Sequence, residues 1–285
     1  MFGKMKKAFY LLFCLTMLTA NAQNGPKLIV RGDDMGYSHS GNQALIKCFK
    51  EGIQTSIEVI VPSPWFPEAV KMLKENPGTD VGIHLALTSE WENIKWRPVS
   101  DCKTLKDASG YFYPFISAHP HYPTQSIKEH DWTLADVEKE FRAQIELALK
   151  LIPNISHISA HMGCTDMTEE VRQLTNKLAK EYKIPVEPEP KNLNWVDYDG
   201  PKDTAEEKVQ SFINMLNKLE SGKTYLFVDH PGFDNDELRA IFHIGYEDVA
   251  ADRQGVTDLF TNEKVKAVIK DRKIQLIGYK DLIKK

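Results

Sequence analysis

The stretch "LIVRGDDMGYS", residues 28–38, decides how the chain reads. An apolar run opens it, and two aspartates, Asp33 and Asp34, follow side by side. Neighbouring side chains on a strand point to opposite faces. Two carboxylates at one strand end therefore raise the question whether both act on one substrate. Gly32 and Gly36 flank the pair and let the backbone bend just past the strand.

The same form recurs along the chain. Apolar runs that predict strands cover residues 27–34, 55–61, 80–87, 155–162, 184–189, 224–230 and 274–279. Helical patterns lie between them, at 41–51, 67–75, 134–151, 168–182, 204–220 and 262–271. The clearest is 134–151, where Thr133 can cap and Val137, Phe141, Ile145, Leu147 and Leu149 supply much of an apolar stripe. Strands alternating with helices imply βα units and a mainly parallel sheet. About seven units in 285 residues predict a single-domain, TIM-barrel-like (β/α) barrel, closed or nearly closed. The competing fold is an open doubly wound sheet, but "GDDMG" lacks the G-x-G-x-x-G fingerprint of dinucleotide binding. Two long connections, 88–131 and 231–261, read as lids or binding loops.

In such a barrel, active residues sit at the C-terminal ends of the strands. Strand one ends in Asp33 and Asp34, strand three carries His84, strand four ends at His161, and strand six ends at Asp229 and His230. A lone buried histidine is more often a satisfied core residue, yet four such ends at one mouth are hard to assign to coincidence. Asp and neutral His bind borderline cations such as Zn²⁺, and carboxylate-rich sites lean toward Mg²⁺. With one carboxylate and two histidines as ligands, positions stay open for water and substrate. A second carboxylate can take the water's proton and a further His can protonate the leaving group. These parts suit metal-assisted hydrolysis of an amide or ester.

On strand four, His157, Ser159 and His161 share a face. If His161 lies at the mouth, His157 is buried below it and hydrogen-bonded. Other candidates read more plainly. His119 and His121 in "HPHYP" have no carboxylate beside them. His39 lies close enough to the Asp pair in sequence to reach the mouth, whereas His130 and His243 read as surface residues. Trp91, Trp96, Tyr111, Phe112 and Tyr113 fit either sugar stacking or a covering loop packed on the barrel. Glu187 and Glu189 read first as solvated strand-end charges.

Residues 1–22 form an expected secretory signal peptide, leaving 23–285 as the barrel domain. Lys4, Lys6 and Lys7 precede a short apolar core, and "ANA" supplies an A-x-A cleavage site. A lipoprotein reading would use Cys14, but Phe13 stands where a small residue is needed. Removing three lysines leaves 33 basic against 40 acidic side chains, a net charge of −7. An acidic exported chain, periplasmic or secreted, is a poor partner for nucleic acid or anionic membrane. Its cysteines, Cys48, Cys102 and Cys164, are odd in number and read as unpaired thiols or at most one disulfide. A homodimer stays open.

With these residues in hand, the chain resembles the YdjC-like family of carbohydrate deacetylases, which includes chitooligosaccharide deacetylases. The resemblance rests on "DDMG", "VGIHLALT", "HMG" and "HPG", in order, and on "DRQGVTDLFTNEKVKAVI", which contains Arg253. It implies a TIM-barrel-like fold, one divalent metal ion (Mg or Zn), and removal of an acetyl group from an N-acetylated amino sugar or oligosaccharide, the acetylated carbohydrate substrate. It assigns Asp34, His84 and His161 as metal ligands, Asp33 as general base and His230 as acid, with a swap of Asp33 and Asp34 left open. Many members carry an aspartate between the two histidines of strand four and a further histidine after them; here those places hold Ser159 and Gly163. Ser159 brings no charge, so any orienting role of that aspartate is missing or met by water. Two other classes compete: a glycoside hydrolase using Asp33 with a carboxylate across the cleft, and a catalytically silent carbohydrate-binding barrel.

Overall fold

The computed structural model describes residues 25–187 and 193–282; the expected signal peptide and Glu189 lie outside the described residues. In chain order the elements are β1 (Lys27–Met35), α1 (His39–Glu51), β2 (Ser56–Val59), α2 (Phe66–Glu75), β3 (Asp80–Leu85), α3 (Leu134–Leu151), β4 (Ile155–Ala160), α4 (Glu169–Tyr182), β5 (Asn194–Trp195), α5 (Ala205–Lys218), β6 (Thr224–Asp229), α6 (Asp236–Arg239), α7 (Val249–Phe260), α8 (Glu263–Asp271) and β7 (Gln275–Leu276). Side-chain caps start most of the helices. Ser38, Thr133, Thr168, Thr204 and Asn262 each accept a backbone N–H of the first turn.

The strands pair in parallel in the order β4-β3-β2-β1-β6-β5, with β7 on the first two residues of β1. This is the parallel α/β barrel that the sequence predicts, present as a curled sheet with helices outside it. The expected strand at 184–189 is divided. Val186 bridges Ile158, and Glu187 N–H bonds the Ile158 carbonyl at 2.9 Å, so this segment extends the sheet beyond β4. The chain then rejoins the sheet as β5, beside β6.

Alternation along the strands sorts two environments. Ile57, Val59, Val81, Ile83, Leu85 and Ile158 face outward into one apolar cluster shared with α1 to α4. Leu28, Val30, Tyr225 and Phe227 face a second cluster with α5, α7 and α8. The inward positions form layers. Ile29, Leu226 and Tyr279 make an apolar floor. Arg31, Glu58 and His157 lie buried above it, with Asp33, His84 and Ser159 nearer the mouth.

The connection 88–131 is the covering loop of the two readings offered. Trp91, Trp96, Leu105 and Phe112 are buried and belong to the first apolar cluster. The expected loop at 231–261 holds α6 and α7. Helix α7 hides in sequence because Gly255 interrupts it and Asp248 gives it no side-chain cap. Gly255 makes room for the Lys208 stem, which packs 3.2 Å from where a Cβ would lie. All three described cysteines are free and buried. Among the described residues no helix is long and apolar enough to cross a membrane.

Gly36 follows β1 with φ 109°, and an added Cβ would overlap Ser63 Oγ. Gly36→Ala should destabilise the protein by at least about 1 kcal/mol, read as a lower denaturant midpoint.

Candidate metal centre

Strict alternation would turn Asp34 away from the barrel, and a bulge prevents it. Gly32 pairs with Ile57 but Met35 pairs with Val59, so β1 takes one more residue than β2 over that span. Asp34 adopts φ 71°, a left-handed conformation that Asp tolerates better than most residues. The bend thus lies at Asp34, inside a strand that runs on to Met35, rather than past the strand end as the sequence suggests. Gly32 serves close packing: a Cβ there would meet Gln54 and Leu45. Asp33 and Asp34 therefore both reach the mouth.

Three buried side chains converge there. One ligand atom from each of Asp34, His84 and His161 can be chosen so that all lie within 4.8 Å of one another. His84 Nε2 is 3.7 Å and His161 Nδ1 is 3.2 Å from Asp34 Oδ1. That oxygen is buried and has no hydrogen-bond partner. An orphaned carboxylate oxygen faced by two imidazole nitrogens fits a cation held between them. Asp33 Oδ2 is 3.7 Å from the same His84 Nε2.

Neighbours fix each of these groups. Arg31 Nη2 donates to Asp33 Oδ2 at 2.8 Å, and its Nε forms an ion-pair contact with Oδ1 at 2.7 Å without hydrogen-bond geometry. Glu187 pairs with the same guanidinium. It is a half-buried counter-charge to Arg31, not the free solvated strand-end charge expected. Arg253 donates to Asp34 Oδ2 at 3.0 Å and lies over the rings of Tyr37 and Trp91. Glu90, from the covering loop, meets His161 Nε2 at 3.1 Å. Ser159 Oγ lies 2.8 Å from His84 Nδ1.

These contacts set the protonation states of the metal-free protein. Burial pushes the Asp33 carboxyl up to about 6, against the opposing pull of Arg31. Burial acts likewise on Asp34, but His230, His161 and Arg253 hold it well below the usual carboxylate range. Burial and the neighbouring His161 push His84 down, toward the neutral form that a ligand needs. His161 is raised to about 10: Glu90 and Asp34 outweigh its burial. The same two carboxylates favour a metal cation in that place.

His230 lies on the solvent side, with Nε2 3.8 Å from Asp34 Oδ2 and Nδ1 3.6 Å from Asp229 Oδ1. Burial would lower its pKa, but these two carboxylates raise it. Asp229 in turn accepts Tyr198 O–H at 2.6 Å. Other sequence candidates lie elsewhere. His39 pairs with Glu68 at 2.7 Å. His119 stacks on Phe115, and His130 stacks on Tyr113. His243 is half-buried against Trp91 rather than free at the surface.

Sequence reasoning passed over Arg31, Glu58, Glu90 and the Ser159 hydroxyl. Arg31 and Glu58 had a readable signal: each is a charge at an inward position, next to apolar residues of its strand. Glu90 had none, since it sits in an irregular loop.

Comparison with known proteins gives the chain's family. Residues 27–271 match the family model described as YdjC-like protein. A protein of Clostridium beijerinckii named carbohydrate deacetylase is 31% identical over 267 residues, 90% of this chain and 100% of its own length. A protein of the same name from Brevibacillus brevis is 27% identical over 272 residues, 90% of this chain and 99% of its own. A solved structure from Enterococcus faecalis V583, provisionally assigned to cellobiose-phosphate cleavage, superposes with TM-score 0.70 at 22% identity, covering 90% of this chain and 99% of that one. The last likeness concerns fold alone.

Asp34→Asn, His84→Ala and His161→Ala should each weaken Zn²⁺ or Mg²⁺ binding by calorimetry by more than the ~10–100-fold that loss of an outer partner costs. The double variant His119→Ala/His121→Ala should bind as the parent does.

Proposed function

Because the chain belongs to the YdjC-like family, we propose that it is a metal-dependent deacetylase of N-acetylated amino sugars or their oligosaccharides. The observation that carries this reading is the orphaned Asp34 oxygen between His84 and His161, with Asp33 beside it and His230 on the open side. Asp34, His84 and His161 would hold one divalent ion. Bound there, such an ion lowers the pKa of water toward neutrality and polarises an acyl carbonyl.

The protein's own groups then divide the proton work. Asp33 is the base that accepts the proton of the attacking water, and the Arg31 fork fixes where its carboxylate points. Its pKa near 6 suits a base at neutral pH. His230, kept protonated by Asp34 and Asp229, donates to the departing amine nitrogen. The amide C–N bond breaks and acetate and the free amine leave. Arg253 anchors Asp34 and takes no proton.

The sugar would lie on the solvent side of His230. A cleft of about 460 Å³ opens there, lined by Trp195, Tyr198, Lys202, Asp229 and His230 among others. Trp195 is 53% exposed and offers a ring face to a pyranose. The competing glycosidase reading leaves the two imidazoles on Asp34 without a purpose. Export to the periplasm or beyond is part of the proposal and rests on the pattern of residues 1–22. The choice between Mg²⁺ and Zn²⁺ falls to reconstitution of chelated protein.

Acetate release should be seen with at least one member of an N-acetyl and O-acetyl sugar panel and should stop with EDTA; no acetate from any member with metal restored would end the proposal. Asp33→Asn should abolish turnover while metal still binds, and His230→Ala should lower kcat by ~10²–10⁴-fold.

The sign of the pH effect follows from Asp33 acting as the deprotonated form. The rate should fall as pH drops through its pKa, at or below about 6 once a cation lies nearby. Removing the Arg31 charge in Arg31→Met should move that acid limb up by ~1–3 pH units. A limb that stays in place would remove Asp33 as the base.

A further inference from the structure

A carboxylate on the neighbouring strand reaches His84 through a hydroxyl. Glu58, on β2, is completely buried. Its Oε1 accepts Ser56 O–H at 3.1 Å and lies 2.9 Å from His157 Nε2. Its Oε2 accepts the O–H of Ser159, on β4. Ser159 Oγ in turn lies 2.8 Å from His84 Nδ1, on β3. The three residues come from adjacent strands of the sheet and share the barrel interior.

We propose that Glu58, acting through the Ser159 hydroxyl, fixes the tautomer and orientation of His84, so that the charge behind this imidazole comes from β2. The inference rests on reading His84 as a metal ligand. A count of protons carries it. A serine hydroxyl has one hydrogen, and the Glu58 carboxylate, kept ionised against its burial by His157 and Arg31, can only accept. The Ser159 proton therefore goes to Glu58, and Ser159 Oγ accepts from His84 Nδ1–H. His84 Nε2 is left with its lone pair toward Asp33 and Asp34, where the cation would lie. The opposite arrangement would point the hydroxyl at His84 and set Glu58 Oε2 against the Ser159 Oγ lone pairs at hydrogen-bond contact, whereas His84 Nε2 stands 3.7 Å from each aspartate oxygen.

Two neighbours keep Glu58 in place. Gly82, between β2 and β4 on β3, leaves the space: an added Cβ would overlap Glu58 Oε2 and lie 2.6 Å from His157 Nε2. His157 is held by Ser156 at 2.8 Å and by the Tyr279 ring stacked at 3.7 Å. Ser159 is thus not a gap in the network, as the missing aspartate led us to expect. It is a relay to a carboxylate housed elsewhere, and Glu58 and Ser159 are positioning residues.

The test uses metal-free protein labelled with ¹⁵N-histidine, the His84 signals being assigned by their loss in His84→Ala. Long-range ¹H–¹⁵N correlation should show His84 protonated at Nδ1 in the wild type. Ser159→Ala and Glu58→Gln should each convert it partly or wholly to the Nε2–H form and weaken Zn²⁺ binding by ~10–100-fold. Ser159→Thr, which keeps the hydroxyl, should restore both. A wild-type His84 protonated at Nε2, or a Ser159→Ala protein with unchanged tautomer and affinity, would overturn the relay. If Glu58→Gln does not fold, the Ser159 pair decides. Wild-type protein that binds no divalent ion would end the metal reading, and the tautomer measurement would still decide the relay.

Discussion

The left-handed turn at Asp34 is the constraint on which the site depends. A regular strand cannot put consecutive side chains on one face. The extra residue in β1 opposite β2 breaks that rule at one point and turns Asp34 toward the mouth. A non-glycine residue held at positive φ costs ~1–3 kcal/mol, and persists only where the surroundings hold it. Here they do: Arg253, His161 and His230 all converge on its carboxylate. Without the turn, Asp33 would stand beside His84 with no second carboxylate to share the work.

Charge inside the barrel follows from the same crowding. Buried ionised groups are tolerated only when paired. Arg31 answers Asp33 and Glu187, Arg253 answers Asp34, and His157 and two hydroxyls answer Glu58. At the mouth, Asp34 Oδ1 has no hydrogen-bond partner and faces His84 and His161. Among the described residues, a polar interior built over an apolar floor of Ile29, Leu226 and Tyr279 thus leads to one candidate place for a cation.

Much of this was open to reading in the sequence, and the rest was hidden for definite reasons. Strand and helix periodicity predicted the parallel barrel, and polar strand ends led to Asp33, Asp34, His84, His161 and His230. Helix α7 was missed because Gly255 and an uncapped start blur its pattern. The division of strand five was missed because Pro185 and Val186 read as an apolar run whatever they pair with. Glu58 and Ser159 were read apart, since only the sheet order β4-β3-β2 brings their side chains together. Trp195, the exposed ring beside His230, lies on a strand of two residues too short to show a period.

The most direct measurement is anomalous diffraction at the zinc edge from crystals grown with Zn²⁺. One strong peak is expected at ~2.0–2.2 Å from an oxygen of Asp34 and from one nitrogen each of His84 and His161, with Asp33 near but unbound. No peak there, or a peak at His119 and His121 with Asp34 still paired to Arg253 alone, would contradict the metal centre.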